Sequence, residues 1–138
     1  MLDYNSRPPF HERITALIDR GLQAERAATA PRTYLGASRL GHACERALQF
    51  EDTRTPPDAG RGFSGRVLRI FEVGHTFEAL AIRWMELAGF TLYTRRANGE
   101  PFGFAVAQGR LQGHIDGVLA AGPADAGLGY PALWECKS

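Results

Sequence analysis

Apolar residues recur at helical spacing over residues 10–29, where Ile14, Leu17, Ile18, Leu22 and Ala28 alternate with Glu and Arg. Pro31 is the expected stop of this helix. Ser38 suits the N-cap of a short second helix, with Leu40, Ala43, Cys44, Ala47 and Leu48 as its apolar face. The stretch from Asp52 to Gly65 holds Pro56, Pro57, Gly60 and Gly62 and reads as loop. The longest helix is expected over Arg66–Ala88, closed by Gly89 in the C′ position.

The period then changes. Phe90 to Arg95 alternates like a strand, and Asn98-Gly99 is a turn signal before a second extended run, Phe102 to Ala107. Gly109-Arg110 allows a further turn, Leu111 to Ala120 reads as a third strand, and 121–130 is a Gly/Ala/Pro loop. Pro131 leads into a fourth strand, Ala132 to Lys137. Helices first and consecutive strands afterwards predict an α+β fold, an α/β sandwich whose N-terminal helices precede a central mixed sheet with an antiparallel meander. At 138 residues the chain is expected to form one domain, 1–138. Nothing after Lys137 can cover the last strand, so a C-terminal part of the domain is expected to be missing.

Composition narrows the class. Sixteen basic against fifteen acidic side chains leave a net charge of +1, which argues against a polybasic nucleic-acid or membrane-surface protein but permits a local basic groove. The longest apolar runs, such as Ala79-Leu80-Ala81-Ile82, are far too short to cross a membrane, and the first residues do not read as a secretory signal. Cys44 and Cys136 cannot form a disulfide framework, so a cytoplasmic setting is expected. Every positive side chain is Arg except Lys137. Codon bias can leave one lysine by chance. A site that needs an amine rather than a bulky, permanently charged guanidinium can also select it.

The position of that lysine favours the second explanation. Glu135 and Lys137 lie two apart on an expected strand and so share a face, and Asp116 sits on a strand able to pair with theirs. Two carboxylates pressed together repel unless a cation lies between them. Mg²⁺ fits, since it takes few carboxylates, keeps water and leaves room for a phosphate oxygen. Lys137 would orient or deprotonate water, or stabilise charge on phosphate, with its neutral form accessible if the site lowers its pKa. A surface ion pair at Glu135–Lys137 with Asp116 as a turn residue is the competing reading. Ile115, Val118, Leu119, Leu133 and Trp134 argue against it by making both strands look buried.

On the long helix, Ile70, Val73, Phe77, Leu80, Trp84 and Leu87 form the expected core stripe, opposite polar Arg69, Glu72, Thr76, Arg83 and Glu86. Glu78 falls in a second apolar strip with Val67, Phe71, Ile82 and Met85, where an unpaired carboxylate is expensive. His75 is one turn earlier, so the two can reach a common point. An ion pair for Glu78 and an ordinary imidazole for His75 remain open.

Asp116, with Glu135-Cys136-Lys137 about twenty residues on, resembles the D…(D/E)-x-K signature of the PD-(D/E)XK nuclease superfamily. Gly113-His114-Ile115-Asp116-Gly117 is similar to the G-x-x-D-G block of the RecB-like and phage-exonuclease-like branch, and Ser38 to Arg46 resembles its early S-x-L-G-x-x-C-E-R block. The resemblance implies a restriction-endonuclease-like core and a Mg²⁺- or Mn²⁺-dependent DNA nuclease, an exonuclease of recombination, repair or phage DNA processing. It makes Asp116 and Glu135 metal ligands and Lys137 the catalytic lysine. It also assigns Gly74-His75-x-x-Glu78 to the helix that supplies a His or Glu to the metal. The Q-x-x-x-Y helix that usually follows the catalytic strand is not present. Some relatives hold an iron–sulfur cluster on one early and three late cysteines; the late ones are absent here, so that cofactor is unsupported. DNA contacts would come from Arg39 and Arg46 beside the second helix and Arg66 at the start of the third, unless these are simply solvated charges. A non-catalytic nucleic-acid-binding relative and a restriction-type endonuclease are the alternatives. His114 reads as a sheet histidine satisfied by hydrogen bonds, and Cys44 as a small core residue.

Overall fold

A computed structural model describes residues 7–58 and 60–137. The chain is α+β, with three α-helices and two three-stranded sheets among the described residues. It divides into two compact units, one of residues up to Pro31 with Pro57–His75, the other of Arg32–Pro56 with the chain from Thr76 onward.

In the first unit, helix α1 (Phe10–Ala28) meets the early part of helix α3 (Gly65–Leu87). Ser64 caps α3, its Oγ accepting the Val67 N–H at 3.4 Å, so the helix begins one residue before the expected Arg66. Gly65 is buried against Asp19, where no side chain would fit, and Arg69 reaches the same Asp19 at 2.9 Å. Leu68 supplies the buried apolar contact. Phe63 packs edge-on to Phe71 with ring centres 5.3 Å apart, while its carbonyl accepts from Gln23.

The second unit carries the sheets. Strand β1 (Leu35–Gly36) runs parallel to β4 (Leu111–His114), which also pairs antiparallel with β3 (Gly103–Val106). Strand β2 (Thr91–Tyr93) pairs antiparallel with β5 (Gly117–Ala121), and β5 with β6 (Ala132–Trp134). Leu92 and Leu119 are register partners and are both buried. Helix α3 ends as its sequence predicts. Gly89 has φ +89°, its N–H donates to Glu86 O at 3.0 Å, and Phe90 N–H donates to Met85 O at 3.1 Å, the two bonds of a Schellman cap. The Asn98-Gly99 turn also forms, with Gly99 at φ +83° and Asn98 Oδ1 accepting from Glu100 N–H.

Four expectations are corrected. The single central sheet is two sheets, because the expected strand Leu111–Ala120 breaks at Ile115–Asp116: Asp fits poorly in a strand interior, and β4 and β5 find different partners. The last strand stops at Trp134, so Glu135–Lys137 follow it as irregular chain. The second helix, α2, spans Glu45–Asp52 with Cys44 as its N-cap, while Ser38 lies inside a 3₁₀ turn, Ala37–Arg39. Cys44 is therefore exposed rather than in a core.

The fourth concerns α3. Its expected core stripe lies open, with Ile70, Val73, Phe77, Trp84 and Leu87 each at least half exposed. The strip of Val67, Glu78, Ile82 and Met85 is the half-buried one, although Phe71 is exposed. A helix with apolar residues on two faces does not specify which of them turns inward. No helix among the described residues is long and apolar enough to cross a membrane.

Candidate active site

The β5–β6 register places Gly117 opposite Trp134, so the residues just outside that pair, Asp116 and Glu135, come together where the ladder ends. There Asp116 replaces a strand partner with its side chain: Oδ2 accepts the Cys136 N–H at 2.7 Å. One residue on, Lys137 Nζ donates to Glu135 Oε1 at 2.6 Å. The Lys137 ammonium is held charged, its pKa raised by the hydrogen bond to Glu135, by that carboxylate's charge and, to a smaller degree, by the charge of Asp116. Both carboxylates thus act on one cation.

The glycines that flank Asp116 explain why the bend sits here. A Cβ on Gly117 would lie 2.8 Å from Leu92 Cδ1 and 2.9 Å from the Tyr93 carbonyl oxygen. A Cβ on Gly113 would lie 2.5 Å from Cε1 of the Phe104 ring. Each glycine lets one sheet close up, and the G-x-x-D-G spacing leaves Asp116 in the joint between them.

This geometry corrects two parts of the sequence reading. The condition set for a neutral Lys137, a lowered pKa, is not met in the metal-free chain: the pKa is raised, because the ammonium faces carboxylate rather than an apolar wall. The expected burial does not hold either. Lys137 and Glu135 are exposed, and Leu133 on the preceding strand is 76% exposed. The bend at Asp116 and the exposed Glu135–Lys137 pair match the competing reading in form, yet they gather the same three groups.

Glu78 is half-buried on α3, and His75, which belongs to the other unit, is exposed. Among the described residues no three His, Cys, Asp or Glu side chains form a group able to hold a metal ion, so Glu78 does not join Asp116 and Glu135 in a ligand cluster. Asp116 and Glu135 alone suit an ion that takes one or two carboxylates and keeps its water, as Mg²⁺ does, and not one that needs a closed protein cage.

Of the arginines, Arg39 is engaged with Glu51 at 2.8 Å. Arg46 lies 5.2 Å over the ring of exposed Phe50, and Arg66 is exposed in the first turn of α3. His114 is exposed at the end of β4, edge-on to Tyr34, and the bend separates it from Asp116. Sequence reasoning missed the ion pair between Arg110 and Asp52, which ties the turn after β3 to the end of α2. Its two residues are 58 positions apart, and no local pattern links them.

Compared with known proteins, the chain matches no family model, no curated protein and no solved structure.

Proposed function

We propose that the protein is a metal-dependent deoxyribonuclease acting in the cytoplasm, with Asp116, Glu135 and Lys137 as its reactive groups. The observation that carries this reading is the 2.7 Å hydrogen bond from Cys136 N–H to Asp116, which draws the aspartate onto the segment that also bears Glu135 and Lys137. It supports the likeness to PD-(D/E)XK nucleases noted in the sequence, because that signature requires residues twenty apart to share one site.

Asp116, fixed by the backbone N–H, and Glu135 would hold Mg²⁺ or Mn²⁺ as hard oxygen donors. When bound, the ion would supply a more acidic water and charge stabilisation for phosphate. Lys137, beside both carboxylates, would act as an electrostatic group toward a phosphate oxygen. Arg46 beside Phe50, and Arg66, are the proposed DNA contacts, pairing a guanidinium with phosphate and in one case an aromatic face with a base. Arg39 would have to leave Glu51 to join them.

Digestion of linear DNA in Mg²⁺, its loss in EDTA, and a fall of about 100-fold or more in Asp116→Ala and Lys137→Ala would bear the proposal out. Equal digestion by the wild type and both variants would sink it. Progressive shortening from the ends indicates an exonuclease, and discrete fragments a restriction-type endonuclease.

A further inference from the structure

We propose that the Lys137 ammonium acts as a built-in competitor for the divalent ion: it holds Glu135 while the metal is absent and is displaced when Asp116 and Glu135 take the metal up. The inference rests on the metal-site reading above and adds an order of events to it.

Three observations carry it. The Lys137–Glu135 contact is direct, 2.6 Å from Nζ to Oε1, so the oxygen a metal would use is already engaged by a cation. Asp116 is held differently, by a backbone N–H that carries no full charge and need not leave when a cation arrives. The lysine side chain is 83% exposed, so its flexible stem can swing into solvent without disturbing packed neighbours. A divalent charge placed between the carboxylates repels the ammonium and removes its partner together. Release then frees the only lysine of the chain, beside the loaded site, to meet an incoming phosphate. Metal binding therefore comes first and release of the lysine from Glu135 second.

The same uniqueness supplies the test. Reductive ¹³C-methylation of the full chain keeps the lysine charge and gives one side-chain amine signal, distinct from the N-terminal amine and assigned by its loss in Lys137→Arg. Titration with Mg²⁺ is expected to move that signal toward the position it holds in metal-free Glu135→Gln. Mn²⁺ binding to unmethylated protein, followed by electron paramagnetic resonance, is expected to tighten about two- to five-fold in Lys137→Met. A signal that stays in place, or equal Mn²⁺ affinities in wild type and Lys137→Met, overturns the competition while leaving the metal site standing. No Mn²⁺ binding by either protein overturns the competition and the metal-site reading together.

Discussion

The two sheets of the second unit are held by different means. In the β2-β5-β6 sheet, Leu92 and Leu119 face each other across the ladder and are buried, and Gly117 admits Leu92 beside Trp134. In the β1-β4-β3 sheet every residue of β3 is exposed, Phe104 and Val106 included. There the ties are polar, with Arg110 on Asp52 and Arg39 on Glu51. Apolar burial accumulates with area and is insensitive to salt, whereas exposed ion pairs contribute little and are screened. The candidate site hangs from the better buried sheet, with Asp116 half-buried and Glu135 exposed.

Four substitutions sharpen or break this contrast. Leu119→Ala is expected to cost about 2–4 kcal/mol in urea unfolding, against about 0.5 kcal/mol or less for half-exposed Val106→Ala. Equal losses would remove the distinction between the sheets. Gly117→Ala is expected to cost about 1–3 kcal/mol, because one obstructing atom is the Tyr93 carbonyl, part of a paired strand. Gly113→Ala meets the far edge of the exposed Phe104 ring, which can turn away, so its loss on the same unfolding curve should be smaller.

Asp116→Ala leaves the Cys136 N–H without its acceptor and is expected to cost about 1 kcal/mol. Asp116→Asn keeps an acceptor and should restore that stability without restoring DNA cleavage. Thermal melts run beside nuclease assays separate the two roles. The smallest effect is expected for Arg110→Ala, whose guanidinium is largely exposed although the hydrogen bond and charge of Asp52 raise its pKa. Its destabilisation should fade as salt is added, whereas that of Leu119→Ala should not.

Much of the local structure was legible because its causes are local. Gly89 ends α3 because an L side chain resists φ +89°, and Asn98-Gly99 turns the chain for the same reason. The start of α2 was misplaced. His42 Nδ1 accepts the Cys44 N–H at 3.1 Å just before the helix, a turn contact no apolar pattern marks. The break at Asp116 was missed because alternation continues through Ile115 and Val118, while the chain there changes sheets. Asp116, Glu135 and Lys137 were found through chemistry and spacing, but the state of the lysine was not. Its raised pKa comes from a carboxylate aimed at it in an exposed setting, and the apolar neighbours in sequence pointed the other way.

By itself, then, the amino-acid order determined the bounds of α1 and α3 to within a residue, the turns at Gly89 and Asn98-Gly99, that the fold is α+β, and which three groups are chemically matched. Those follow from backbone sterics and side-chain chemistry within a few residues. Tertiary structure alone decided which apolar strip of α3 faces inward and that the strands part into two sheets at Asp116. Each of these depends on which distant surface a residue meets, and a periodic pattern compatible with two partners does not encode that choice.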